Sequence, residues 1–211
     1  MFKKALSLAI PIVAIVGAGL WIYRSQSGGF KDVDFGIYEV LGAAGAEEVS
    51  RIVPAKTAVA VVAPDTKDSP NMVLDAQLKS LQQGLKKKGL PVGTIFRFKL
   101  APQERMATGG AIPVEQFLKM LRAESAGAVV LFCAFPQLSA QELESLKKSG
   151  KKFVVISGYL PGYRQLIETG VVQRAIVPRS DGASDKPSAT AQERFESQFQ
   201  VLAAENAGNR H

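Results

Sequence analysis

Short apolar segments of strand length alternate with longer amphipathic segments from residue 57 to residue 179 of this 211-residue chain. Glycine or proline marks many of the boundaries, as at Gly89, which closes a long helical segment. Strands that are joined through helices pair in parallel, with helices on both faces of the sheet. The alternation therefore predicts an α/β fold with a five-stranded, doubly wound parallel sheet, its strands at 57–63, 92–100, 128–135, 152–157 and 171–177.

The polarity of these strands predicts their order. The segments 59–63, 129–135 and 153–156 are uninterrupted apolar runs, which is typical of strands buried on both faces. The second strand instead carries Arg97 and Lys99 on one side, as a partly exposed edge strand does. We therefore expect the order 2-1-3-4-5, the flavodoxin-like arrangement.

A helix is predicted ahead of the sheet, at residues 36–53. Gly42 and Gly45 lie inside it, and each weakens a helix by about 1 kcal/mol relative to alanine. This helix is therefore expected to depend on packing against its neighbours. Ser69, followed by Pro70, is the predicted N-cap of the next helix.

The end of the chain is predicted to hold a linker and one more helix. Residues 180–190 are rich in Ser, Asp, Gly and Pro, and residues 191–204 have helical spacing. On such a helix Phe195, Phe199 and Leu202 would form one apolar stripe. A helix of about 14 residues is marginal alone in water, so the stripe must be buried. It is expected to dock on the chain's own domain or, as a partner-binding surface, on another protein.

An uncharged apolar run occupies residues 5–23, between Lys4 and Arg24. Its 19 residues can cross the hydrocarbon core of a bilayer as a helix. Lys3 and Lys4 precede the run, so the positive-inside rule places the amino terminus in the cytoplasm. We expect a single-pass anchor in a bacterial inner membrane with the following domain in the periplasm. The alternative is a cleaved secretory signal, with a cleavage site near 16–18.

These patterns divide the chain into four predicted parts. The parts are a transmembrane anchor at 1–24, a spacer with the leading helix at 25–54, an α/β domain at 55–179, and a linker with an amphipathic helix at 180–211.

Charge argues against a nucleic-acid partner. The chain has 26 Lys and Arg against 19 Asp and Glu, a net charge of +7. The excess is scattered along the sequence, and the only run, 86–88, falls in the last turn of a predicted helix. Cations there complement the helix dipole, which is sufficient reason for their presence.

Ligands of open α/β sheets bind beyond the carboxyl ends of the strands, where the strand order reverses. The residues predicted to surround that place are polar or aromatic, and they follow the first four strands. They are the candidate ligand-binding residues: Asp65, Thr66, Asn71, Lys99, Phe135, Ser157 and Tyr159.

The chain lacks the residues that most catalytic and cofactor chemistry requires. The chain has one His, His211, and one Cys, Cys133, so Ser-His and Cys-His nucleophile pairs and His- or Cys-based metal sites are not expected. Neither a GxGxxG nor a GxxxxGK[ST] motif occurs. The loop after the first strand, 64–69, contains no Gly for an FMN phosphate. We therefore expect no enzyme activity and no cofactor.

Residues 59–89 contain a strand, a polar loop and a long helix that ends in glycine, and residues 126–132 read AlaGlyAlaValValLeuPhe. This succession resembles one lobe of the type 1 periplasmic sugar-binding proteins and of the related repressor effector domains. The resemblance covers about 120 residues, 57–179. It implies a ligand held between two lobes, of which this chain supplies one. The other would come from a second chain, unless the fold serves as a scaffold in a membrane assembly.

Two functions follow from these observations. The first is a non-catalytic, membrane-anchored subunit whose extracytoplasmic α/β domain contacts other subunits of a membrane complex or a second copy of itself. The alternative is a tethered lobe that binds or senses a small molecule and that dimerisation completes. In both, the lipid bilayer is a partner.

Overall fold

The computed structural model describes residues 34–156, 162–179 and 190–204. The predicted anchor at 1–24 and nearly all of the predicted linker lie outside these residues. Within the described ranges, no helix combines the length and apolar character that a membrane crossing needs. The anchor therefore stays a prediction.

In the described residues, six strands form one sheet, in the order β2-β1-β3-β4-β5-β6. The first five are parallel to one another, and β6 is antiparallel to β5. The predicted parallel α/β fold and the order 2-1-3-4-5 are confirmed, and β6 is an addition. The strands are β1 Val59–Pro64, β2 Val92–Phe98, β3 Ala128–Leu131, β4 Lys152–Ile156, β5 Arg174–Pro178 and β6 Phe199–Ala203.

The helices cover both faces of the sheet. Those that the structure describes are α1 Gly36–Ile52, α2 Met72–Lys87, α3 Pro102–Thr108, α4 Val114–Ala123, α5 Ala140–Lys148, α6 Tyr163–Glu168 and α7 Ala191–Gln198. Face A is the side on which α1, α2 and α7 pack. Face B is the opposite side, covered by α4, α5 and α6.

The right-handed rule for crossovers decides which face each connecting helix covers. The connection from β1 to β2 runs toward one edge of the sheet, so α2 lies on face A. The later crossovers run the other way and place α4, α5 and α6 on face B. No described crossover helix then covers β3, β4 and β5 on face A. That position is filled by α1 and α7, which lie outside the crossovers.

Glycines let α1 approach its neighbours closely. A Cβ on Gly42 would overlap the main-chain carbonyl of Gln77, and one on Gly84 would come within 2.6 Å of the Cβ of Ala46. The place of a Cβ on Gly45 is taken by the side chain of Ile156. The glycines that weaken α1 in isolation thus permit its packing against α2 and β4, which is the dependence that the sequence predicts.

A buried ion pair also joins α1 to the sheet. Glu48 is only 4% exposed. Its carboxylate lies 3.3 Å from Nε of Arg174, at the start of β5, and 2.7 Å from Nη1 of Arg51. Because a buried carboxylate without a partner is costly, this contact favours one placement of α1 over β5.

The apolar run at 128–135 is a strand only in its first half. β3 ends at Leu131, and residues 132–135 continue as buried chain outside the strand ladder. Periodicity alone does not distinguish a strand from a buried connecting segment. The predicted strand was therefore too long.

Two helix predictions also need correction. The N-cap of α2 is Asn71 and not Ser69: its Oδ1 accepts a hydrogen bond from the N–H of Leu74 at 3.0 Å. Asn and Ser cap helices about equally well, so the sequence did not separate them. Helix α3 was missed because all of its residues are exposed and no apolar periodicity marks it.

The predicted helix at 191–204 is wrong in its second half. α7 ends at Gln198, and the next residues form β6, with Phe199 opposite Pro178 and Ala203 opposite Arg174. Side chains alternate along a strand, so Phe199 packs on face A and Leu202 on face B. The predicted single stripe is absent, because a segment with β-forming residues meets the open edge of β5.

The tail nevertheless docks on the chain's own domain. The rings of Phe195 and Phe199 stack with centroids 5.6 Å apart and an interplanar angle of 16°. Phe195 is 8% exposed and belongs to the core of face A. Of the two alternatives for this segment, the structure shows the intramolecular one.

We expect Gly42→Ala to lower the free energy of unfolding by about 2 kcal/mol, because the added methyl group must displace α2. Urea unfolding of the full chain in mild detergent, followed by circular dichroism, measures the change. Gly162→Ala is the matched control, since no non-neighbouring atom lies within 4 Å of a Cβ at Gly162. Equal stability of the two variants would show that close helix packing is unnecessary.

Phe195→Ala is expected to cost about 3 kcal/mol of stability and to expose the chain to proteases near residues 180–190, because α7 and β6 lose their anchor on face A. Limited proteolysis with mass spectrometry locates the new cleavage sites. Gln198→Ala, on the exposed side of the same helix, should change neither property. An unaltered cleavage pattern in Phe195→Ala would contradict the docking of this segment.

Candidate functional site

The carboxyl ends of β1, β3, β4 and β5 lie at the same edge of the sheet, because these strands are parallel. β1 pairs with β2 on one side and with β3 on the other. The connection from β1 to β2 and the connection from β2 to β3 run in opposite directions, so the strand order reverses between β1 and β3. Open α/β sheets bind ligands outside such a reversal. We call this region the carboxyl edge.

Asp65 and Lys99 lie together at the carboxyl edge. Nζ of Lys99 is 2.8 Å from the carboxylate of Asp68 and 3.9 Å from that of Asp65. Asp65 Oδ1 also accepts a hydrogen bond from the N–H of Lys67 at 3.1 Å, and the Asp65 N–H donates to the carbonyl of Phe98 at 2.8 Å. These contacts hold the loop after β1 against the end of β2.

Charge pairing shifts the titration of the two exposed members of this group. The hydrogen bond and charge of Lys99 lower the pKa of Asp68, and Asp68 in turn raises the pKa of Lys99. Both side chains are largely exposed, so the pair contributes little to stability. Its main effect is to reduce the net charge at this edge.

Thr66 and Asn71 lie in the loop between β1 and α2. Thr66 is half-buried, and its carbonyl accepts a hydrogen bond from the N–H of Ser69 at 3.3 Å. Asn71 is the N-cap of α2, so its side-chain oxygen already has a donor. Both residues therefore take part in local structure at the carboxyl edge.

Phe135 lies in the core of face B, 4% exposed. Its ring makes edge contacts with Phe117, at 5.6 Å between centroids, and with Phe153, at 5.8 Å. In this position Phe135 offers almost no surface to a ligand. Ser157 and Tyr159 fall in residues 157–161, outside the described residues, so their placement stays a prediction.

A cavity of about 290 Å³ lies at the carboxyl edge on face A. Helices α1 and α2 supply one wall, with Tyr38, Leu41, Asn71, Val73, Leu74 and Gln77. The ends of the strands and the start of β6 supply the other, with Pro64, Phe132, Ile156, Pro178 and Phe199. The cavity is a concave feature of the described residues with room for a small molecule.

Of the predicted ligand-binding residues, only Asn71 lines this cavity. The sequence analysis missed Tyr38 and Gln77, the other two lining residues with polar groups. The available signal was that helices antiparallel to the strands begin at the carboxyl edge, so their first turns face it. Helix α1 was interpreted only as support, because its place on face A depends on the topology.

The described residues include groups that can bind a ligand, but few that could carry out acid–base catalysis or hold a metal ion. No group of three or more His, Cys, Asp or Glu there is arranged to hold a metal ion. Burial raises the pKa of the Cys133 thiol to about 12, so it remains protonated and a poor nucleophile. Among the described residues, no Asp, Glu, Lys, Arg, His or Cys lines the cavity.

Comparison with known sequences gives no relative, since no family model and no curated protein matches the chain. Solved structures do match. A sugar-binding protein of a Bacillus halodurans sugar ABC transporter has a TM-score of 0.56 at 8% identity, over 82% of this chain and 64% of the other. The arabinose-binding protein AraP of Geobacillus stearothermophilus has a TM-score of 0.56 at 11% identity, over 82% and 63%.

A third match is the substrate-binding protein of a sugar ABC transport system from Bordetella parapertussis, with a TM-score of 0.52 at 12% identity, over 82% of this chain and 57% of that one. The chain thus spans less than two thirds of the length of these structures. At such identities the likeness shows the fold alone. The fold is that of the type 1 periplasmic sugar-binding proteins and is consistent with one lobe, as the resemblance implied.

We expect Lys99→Met to raise the carboxyl pKa of Asp68 toward that of an unpaired aspartate, because it removes both the hydrogen bond and the positive charge. A carbon-detected NMR titration of the side-chain carboxyl groups measures it. Glu144, whose pKa is lowered separately by Lys147, should not change. If Asp68 titrates identically in Lys99→Met and in the unchanged chain, the ion pair between Asp68 and Lys99 does not persist in solution.

Proposed function

We propose that this chain is a non-catalytic, extracytoplasmic lobe that binds a small molecule in the cavity at the carboxyl edge. The observation that carries the proposal is the position of that cavity, beside the reversal between β1 and β3. The fold supports the proposal, because the matching structures are sugar-binding or substrate-binding proteins. Tethering to the inner membrane through residues 1–24 is part of the proposal.

A second copy of the chain is proposed to cover the cavity. The chain spans 57–64% of the length of the matching structures, and in this proposal a second copy supplies a lobe over the carboxyl edge. Met72 and Met106 are the exposed large hydrophobic side chains of the described residues, and both follow strands that end at this edge. Flexible, polarizable methionine side chains suit an adaptable protein contact.

The other candidate, a subunit that only contacts partners in a membrane assembly, has less support. Its motives in the sequence were the predicted anchor, the missing catalytic groups and the apolar stripe of the tail. Phe195 and Phe199 now pack on face A of the same domain, and Leu202 packs on face B. The tail therefore presents no such stripe to a partner.

Thermal unfolding of the full chain in mild detergent tests small-molecule binding against sugars, amino acids, nucleosides and neutral aromatic compounds. A ligand at a hundred times its Kd stabilises the folded state by about 2.7 kcal/mol, which is measurable as a rise in Tm. Val73→Phe, which fills the cavity, should abolish the rise. Val114→Phe, at the start of α4, is the matched control and should keep it.

The proposal fails if no compound of any class stabilises the folded protein, or if Val73→Phe leaves the response intact.

Multi-angle light scattering with and without a stabilising compound tests whether a second copy covers the cavity. A ligand-bound chain that stays monomeric would overturn the dimeric cover while leaving the binding function.

A further inference from the structure

The chemistry of the cavity wall constrains the ligand. Eight of the eleven lining residues have hydrocarbon side chains, and the polar groups belong to Tyr38, Asn71 and Gln77. Asn71 already uses its side-chain oxygen to cap α2. Within the described residues, no charged side chain lines the cavity, so a bound anion or cation would find no counter-charge among them.

The main chain adds few donors at the strand ends. Pro64 and Pro178, which end β1 and β5, have no N–H. The N–H of Phe132 donates to the carbonyl of Val62 at 2.8 Å. The carbonyl of Pro64 accepts a hydrogen bond from Arg97 at 3.0 Å. The described backbone at the ends of β1, β3 and β5 thus offers few free donors to a ligand.

A free sugar suits such a wall poorly. Each ring hydroxyl that loses water on burial needs a hydrogen-bond partner, and each one left without a partner lowers affinity by about tenfold. A monosaccharide has several hydroxyls, whereas only three of the described lining residues, Tyr38, Asn71 and Gln77, have polar side-chain groups. The charged groups at the carboxyl edge do not help, because Asp65, Asp68 and Lys99 pair with one another.

The volume fits an aromatic ring. An apolar cavity of about 150 Å³ lined by Leu, Ile and Phe holds benzene. The present cavity, at about 290 Å³, is partly open to solvent and has Leu41, Leu74, Phe132 and Ile156 among its lining residues. It has room for a fused bicyclic ring, or for one ring with a short substituent.

We propose that the cavity binds a neutral, mainly hydrocarbon molecule that carries one ring system and a single polar end, and that it rejects free sugars. The ring packs among Leu41, Leu74 and Ile156, and the polar end reaches Tyr38 or Gln77. This inference rests on the proposed function and specifies the ligand of the same site. The proposed ligand differs from the sugars that the matching sugar-binding proteins are named for.

The probes are indole and 4-ethylphenol for the proposed class, ethylbenzene as the apolar analogue, and glucose, galactose, arabinose and ribose for sugars. Methyl NMR of the full chain in detergent reports binding at the cavity through the methyl groups of Leu41, Leu74 and Ile156. Indole and 4-ethylphenol should shift these signals in a saturable way, and the four sugars should not. Val73→Phe should abolish the shifts, and Val114→Phe should preserve them.

The double variant Tyr38→Phe, Gln77→Met tests the polar end. Affinity for 4-ethylphenol should fall about fivefold, as expected for one lost hydrogen bond, while affinity for ethylbenzene stays unchanged. Equal losses for both compounds would indicate altered packing and contradict the assigned polar contact.

The outcomes separate this inference from the proposed function. If a sugar saturates the cavity methyl signals and the aromatic probes do not, the ligand class is wrong and the binding function stands. If neither class changes these signals in the folded protein, this inference is overturned, and the proposed function is then decided by the amino acids and nucleosides of the thermal unfolding test.

Discussion

The packing of α1 on face A is the contact on which the rest of the fold depends. In the order 2-1-3-4-5, α2 is the one described crossover helix that lies on that face. On the same face, β3, β4 and β5 are therefore covered by helices that do not connect parallel strands. Helix α1 supplies this cover because Gly42 and Gly45 remove the side chains that would hold it away from α2 and β4. The pair between Glu48 and Arg174 then favours one position over β5.

The same arrangement creates the candidate site. Helices α1 and α2 both begin at the carboxyl edge, and their first turns stand opposite the ends of β1, β3 and β4. The cavity is the space between them, so the element that closes the core also forms a wall of the site. A ligand at this position would contact both helices and the sheet, and its binding would stabilise their packing.

Fold and ligand chemistry are separate properties of this chain. The fold matches sugar-binding proteins at 8–12% identity, which leaves nearly every side chain of the site free to differ. The polar residues at the carboxyl edge that would suggest a sugar have structural contacts: Asp65 holds its loop, and Asn71 caps α2. What faces the cavity is mostly hydrocarbon, and the proposed ligand class follows from that wall.

The sequence by itself determined the first five strands and their order. Apolar runs such as 59–63 and 153–156 predict buried parallel strands, and Arg97 and Lys99 predict an edge, because burial acts on each strand locally. The tertiary structure decided what depends on distant neighbours. Residues 199–203 form a strand because β5 offers an open edge, and Tyr38 and Gln77 line the same cavity because two helices begin at the same end of the sheet. Periodicity reports which residues are buried, whereas only the packed chain determines which buried or half-buried residues face one another.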